Sequence, residues 1–507
     1  MKFSKPALIF LLLTAGLTQA AEINLPEMGS SAAEILTPEE EDRYGRQMFY
    51  EYRRLGYVID DPMLADYIEA LGYRLVAHSE RPEQDFTFFI VRSNDINAFA
   101  APGGFVGVNA GLMYLARRED ELAAVMGHEV AHVTQRHLVR AYEKMQKSTL
   151  PIALAMLGAL VATRNTSGDA TQAILASGMG AIQQQQINFT RHNEYEADRI
   201  GIGILYRTGF APVAAADFFK RLANESRANG EGPPPYLRTH PVTITRVSEA
   251  HERADRLMEE TPVTESIYRP DDANFALMKH RARVLSADAP GALIADYRRE
   301  LKNTDEASRQ SLQYGLGIAL SLGAEHEEAL RILGALADAS PGQLPFEIAL
   351  AEARLANRQH AEAARRLAPL VEQFPDSAPL KIAFAGALTA SAEKAKGRQA
   401  AEVLRPLINK RGYDPTLQLA FARANELSGD EDRALEAHAE VALYTGRPFD
   451  AMEQLKRLLE RPSISYYQRA RVEARVAEIT PFILELERRR MHPETDQRLG
   501  LSVNNGM

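Results

Sequence analysis

Cysteine and tryptophan are both absent from the 507 residues of this chain. Without cysteine no disulfide can staple the fold and no lipid can sit on an N-terminal cysteine. Any zinc site must then be built from histidine and carboxylate. Basic residues are not in excess: 59 Lys and Arg against 68 Asp and Glu give a formal charge of −9, which argues against nucleic acid as a partner. Long apolar runs are missing too, since residues 7–13, 150–162 and 170–182 all fall short of the roughly 20 residues that span a bilayer. What remains is ordinary soluble composition, 45% hydrophobic and 25% charged, in a chain long enough for two or three domains.

The first residues read as a secretory signal. Lys2 and Lys5 precede the apolar stretch Ala7 to Leu13, and Thr18-Gln19-Ala20 supplies small residues for cleavage. Removal of residues 1–20 takes the formal charge from −9 to −11. Residues 21–40 read as a flexible leader.

Helical patterning follows from about Thr37 to Ala77, with Pro38 and Asp61-Pro62 as helix starts. Phe86 to Val91 and Phe105 to Val108 are β-rich and flank the turn signal Pro102-Gly103-Gly104, which predicts a small antiparallel sheet. Glu119 to about Met145 reads as one long helix, and Asn188 to about Tyr206 as another. Between them lies an apolar insert at 150–182. It fits either a buried helical hairpin or a flap that touches lipid or an unfolded client.

The C-terminal half repeats. Leu316, Ala329, Leu333 and Pro341 recur as Leu350, Ala363, Leu367 and Pro375, each 34 residues on. That period, with small residues where paired helices meet, is the tetratricopeptide signature. A looser third copy holds Ala400, Leu404 and Pro415.

The chemistry-bearing residues lie in the first half. His128-Glu129-Val130-Ala131-His132 is an H-E-x-x-H motif within a predicted helix. Its histidines, four apart, share one face and can bind one zinc ion, while Glu129 stands beside the first of them as a base. A catalytic zinc takes a third protein ligand. His137, five residues past His132, lies well around the helix and reads as a surface histidine or one behind the ligands. The other candidate is Glu194 in Glu194-Tyr195-Glu196-Ala197-Asp198, where Glu194 can ligate and Asp198, one turn on, can accept from a ligand histidine. Glu196 points elsewhere, towards a cation or water.

Asn97-Ala98-Phe99-Ala100, Pro102-Gly103-Gly104, H-E-x-x-H, E-x-x-A-D and Thr239-His240-Pro241 occur in the order that resembles the gluzincin metalloproteases of the HtpX and CAAX prenyl endopeptidase family. With the signal peptide and the repeats, the resemblance is to the periplasmic members that serve quality control of outer-membrane proteins. It implies one Zn2+ per chain and an endopeptidase acting on unfolded or stalled outer-membrane proteins. It also implies contact with the β-barrel assembly machinery through the repeats, and a place in the periplasm at or near the outer membrane. It further implies that His240 can fill the zinc's open position in a latent state and that Arg246 helps stabilise the oxyanion. The sheet's edge strand, placed at Gly103, Gly104, Phe105, Val106, Gly107, Val108 and Asn109, would bind substrate. A second function class is a client-binding assembly factor whose protease is latent.

The expected architecture is mainly α. It comprises a signal peptide (1–20), a leader (21–40) and a metalloprotease domain (41–262) carrying the small sheet. A linker (263–275), an α-solenoid of tetratricopeptide repeats (276–490) and a tail (491–507) complete it.

Overall fold

The computed structural model describes residues 36–144, 190–228, 233–260 and 269–491. The signal peptide, most of the leader, the apolar insert, the first part of the linker (263–268) and nearly all of the tail lie outside the described residues.

Local chemistry sets the first two helices. Thr37 caps Pro38–Arg54 with a reciprocal box, its hydroxyl accepting from the Glu40 amide at 3.3 Å while the Glu40 carboxylate accepts from the Thr37 amide at 3.0 Å. Asp61 caps Pro62–Val76 by accepting from the Leu64 amide at 3.0 Å. In both helices proline occupies the first turn, where no amide hydrogen is needed.

Three strands follow: β1 (Thr87–Val91), β2 (Ala98–Ala101) and β3 (Phe105–Asn109). Their order is β1-β3-β2. β3 runs antiparallel to β2, with Phe99 opposite Gly107, but parallel to β1, with Phe88 opposite Val106. Two expectations are therefore corrected. The sheet is mixed rather than antiparallel, and Gly103 to Asn109 is no edge, because β3 is hydrogen-bonded on both sides. The turn at Pro102–Gly104 explains this: Gly103 and Gly104 adopt φ of 74° and 80°, which suits glycine, and fold β3 back between its two predecessors. The outer side of β1 is also occupied, since the Ile59 amide donates to the Ile90 carbonyl and the Arg92 amide to the Tyr57 carbonyl. Among the described residues β2 is the sheet's remaining edge.

Helix Glu119–Thr134 is buried on every side, packed against β2, β3 and the helices Pro62–Val76 and Ala214–Ala228. It stops sooner than its pattern predicts. Gln135 and Arg136 form a turn, Arg136 takes φ of 52°, and a separate helix covers 137–144.

From Asp272 onward the chain is a solenoid of helix pairs. Ala329, Leu333, Ala363 and Leu367, which share the 34-residue period, are fully buried between neighbouring helices. Ala324, Arg358 and Ala392 repeat the period as left-handed turn residues (φ 60–63°), each joining the two helices of a pair. The array touches the first half at several places along its length. Arg281 donates to both oxygens of Asp61 at 2.8 and 2.6 Å, and Arg411 reaches Glu69 at 3.0 Å. Further on, Arg53 donates to the Tyr444 carbonyl at 3.5 Å.

Candidate metal centre

The motif helix is anchored before it delivers its histidines. Its first turn carries Glu119, Asp120 and Glu121, acids that suit the positive end of a helix. All three are buried with partners. Glu119 accepts from the Asp271 amide at 2.8 Å, Asp120 from the Ala211 amide at 3.2 Å, and Glu121 from Arg221 at 2.6 Å.

The second motif helix, over residues 190–208, crosses close to the first. Glycine permits the approach: a Cβ on Gly201 would lie 3.0 Å from the His128 nitrogen and 3.1 Å from the Gly127 carbonyl carbon. Glu194, Asp198 and Gly201 fall at helical spacing, so the face that lets the backbones meet also presents both carboxylates.

His128, His132, Glu194 and His240 converge there, one donor atom from each lying within 4.8 Å of the others. His132 Nε2 stands 3.0 Å from His128 Nε2, and each is 3.4 Å from a Glu194 oxygen. His240 Nδ1 lies 3.3 Å from His128 Nε2 and 3.0 Å from Glu194 Oε1. Bonds of about 2.0–2.1 Å to a tetrahedral zinc imply donor separations of about 3.3 Å, so these residues fit that ion.

Behind the cluster, His128 Nδ1 is 3.0 Å from Asp198 Oδ1. Arg246 donates to both Asp198 oxygens at 2.7 and 2.8 Å and to the Pro241 carbonyl at 2.8 Å, and it lies 3.0 Å from Glu194. Its buried guanidinium spans the two carboxylates, and an oxyanion role would require it to give up one of these bonds. Glu129 is buried beside the cluster. Its Oε1, 3.6 Å from His240 Nε2, has no hydrogen-bond partner among the described residues. A buried carboxylate oxygen left open in this way is suited to a water.

The charges are unevenly placed. Burial opposes a charge on His128, but Asp198 and Glu194 outweigh it and push the imidazole up to about 10. Burial, with His128 and His240 as neighbours, pushes His132 down to about 3. Burial would also raise the Glu194 carboxyl, yet the three histidines hold it well below the usual carboxylate range. His128 would have to give up that proton to hold a metal cation.

One neighbour was not anticipated from the sequence, and of the two readings offered for His137 the structure takes the one behind the ligands. Tyr236 stacks on His240 with ring centres 4.8 Å apart, and its amide donates to the Ile96 carbonyl at 3.1 Å. His137 is buried, with Nδ1 3.0 Å from His132 Nδ1. Helix geometry hid the second contact, because it exists only where the helix breaks.

Comparison with known proteins gives the family. The model of peptidase family M48 matches residues 62–254, which contain all four converging residues together with Asp198 and Arg246. The "Beta-barrel assembly-enhancing protease" of Yersinia pestis is 32% identical over 470 residues, covering 92% of this chain and 93% of that protein. The Escherichia coli K12 protein of the same name is 30% identical over 455 residues, 90% of this chain and 91% of the relative. A Vibrio cholerae protein that carries the name provisionally is 40% identical over 299 residues, 59% of this chain and 60% of its own length.

Proposed function

The chain belongs to peptidase family M48, and from that premise we propose that it is a zinc endopeptidase of the bacterial periplasm that cleaves misfolded or stalled outer-membrane proteins and assists β-barrel assembly. The names of its relatives support the client class, and the signal-like first residues support export. The observation that carries the chemistry is the convergence of His128, His132, Glu194 and His240 on one point.

In this reading His128, His132 and Glu194 hold one zinc ion. When bound, zinc supplies Lewis acidity that polarises the scissile carbonyl and acidifies a water to a pKa of about 7. Glu129, with its open buried oxygen, accepts the proton of that attacking water and returns it to the leaving amine. Asp198 fixes the ring of His128. Arg246 is a positioning residue that holds Asp198 and Glu194 in register.

His240 occupies the fourth position of a latent state. A client adds as a strand along the outer edge of β2, beside the motif helix, instead of along β3. The Asn97 carbonyl accepts from Asn109 on the β3 side, so the neighbouring Ile96 carbonyl faces outward, where it accepts from Tyr236. A client strand competes for that carbonyl and loosens the short helix Pro235–Thr239 that precedes His240. The repeat array supplies the contact with the β-barrel assembly machinery.

The test uses the zinc-loaded full chain and a denaturant-unfolded outer-membrane β-barrel protein. Cleavage is expected to cease on chelation, to return with zinc, and to rise several-fold in His240→Ala. Cleavage that persists without metal would overturn the zinc reading, and a slower His240→Ala variant would overturn the latent state.

A further inference from the structure

The two motif histidines are braced differently. Behind His128 stands a carboxylate, Asp198, held by an arginine. Behind His132 stands another histidine. On an unbroken helix His137 would lie about 140° around the axis from His132 and could not reach its ring. The helix instead ends at Thr134, and Arg136 takes the left-handed conformation, which is unfavourable for a non-glycine residue. That turn is held in place: Arg136 donates to the Leu36 carbonyl at 3.0 Å and pairs with Glu41.

Through this turn His137 meets His132 Nδ1 to Nδ1 at 3.0 Å. On its other side His137 Nε2 lies 3.1 Å from Glu196 Oε2, and Arg140 donates to the same oxygen at 3.1 Å. Only one arrangement of hydrogens satisfies all these contacts once His132 gives Nε2 to a metal. His132 Nδ1–H donates to His137 Nδ1, His137 Nε2–H donates to Glu196, and Arg140 holds that carboxylate.

We propose that His137 and Glu196 are positioning residues for the metal centre, a relay that fixes the ring and tautomer of His132 as Asp198 and Arg246 fix His128. The proposal rests on the reading of His132 as a zinc ligand. Each motif histidine then ends on an arginine-held carboxylate, one directly and one through an intervening imidazole. The left-handed turn at Arg136 is the backbone feature that makes the second brace possible, and strain of this kind is sustained where the surrounding structure fixes it.

The test measures zinc affinity of the full chain by chelator competition, with the visible spectrum of the cobalt-substituted protein as a second readout. His137→Leu is expected to weaken zinc binding about 10–100-fold and to alter the cobalt bands. His137→Gln, whose amide can both accept and donate, is expected to recover most of the affinity, and Glu196→Gln to lose roughly 3–10-fold. Wild-type affinity with unchanged cobalt bands in His137→Leu would overturn the relay, as would a His137→Gln variant no better than His137→Leu. If His137→Leu does not fold, unchanged affinity in Glu196→Gln overturns it instead. A wild-type chain that binds no zinc overturns the ligand reading beneath it as well.

Discussion

In the repeat array, Ala329 and Ala363 meet neighbouring helices with no side chain beyond a methyl group, and Leu333 and Leu367 fill the space beside them. In the metal centre the buried positions next to the helix crossing are His128, Glu129, Glu194, Asp198 and Arg246. The first region gains stability from close apolar contact repeated every 34 residues. The second gives up apolar burial for charged groups, each of which must find a partner or pay a desolvation cost of several kcal/mol. The comparison teaches that damage should separate: lesions in the array reach stability, and lesions in the centre reach metal and chemistry.

The strongest challenge to that separation is Arg281, where the two regions join. It is buried and bonded to Asp61 on one side and to Glu352 at 3.0 and 2.7 Å on the other. Arg281→Met leaves Asp61 buried beside an uncharged neighbour and is expected to cost about 3–5 kcal/mol in denaturant unfolding. If this variant also lost zinc affinity, the regions would not be separable. Leu367→Ala, a cavity in the array core, is expected to cost about 2–5 kcal/mol with zinc affinity within twofold of wild type.

A pH effect sharpens the contrast. Burial, with Lys279 and Arg283 nearby, pushes His280 down to about 3. Its folded value lies below the unfolded one, so the unfolded chain takes up a proton first as pH falls. The folded state therefore loses stability from about pH 6.5 downward, by on the order of 2–3 kcal/mol at pH 4. His280→Gln, neutral at every pH and able to keep a bond to Tyr297, is expected to flatten that part of the stability curve. The check is denaturant midpoints measured between pH 7.5 and 4.

The same comparison explains what the sequence disclosed. The array was legible because a fixed period forces small residues to recur, although nothing marked Ala324, Arg358 and Ala392 as left-handed turns where glycine is the usual choice. The grouping of His128 with His132, and of Glu194 with Asp198, follows from four-residue spacing on a helix. Their mutual approach does not, because it depends on Gly127 and Gly201 meeting across the crossing. Strand order was also hidden. The sequence marked β1 and β3 as strands but not β2, whose Ala-Phe-Ala-Ala run shows no alternation, and no local signal says that β3 inserts between the other two, so the edge was misplaced. The relay through His137 was the least visible, since no glycine or proline marks the break at Gln135-Arg136.

The central claim is that Glu129 moves the proton in a site whose metal is held by other residues. Glu129→Gln keeps the shape of the side chain and removes its basicity, so it separates those two tasks. Zinc content and cleavage of an unfolded outer-membrane protein should be measured on the same full-length preparation. The account predicts one zinc per chain, as in the wild type, with cleavage reduced by about 10²–10⁴-fold, the usual range for losing a general base. Wild-type cleavage by the zinc-loaded Glu129→Gln chain would contradict it.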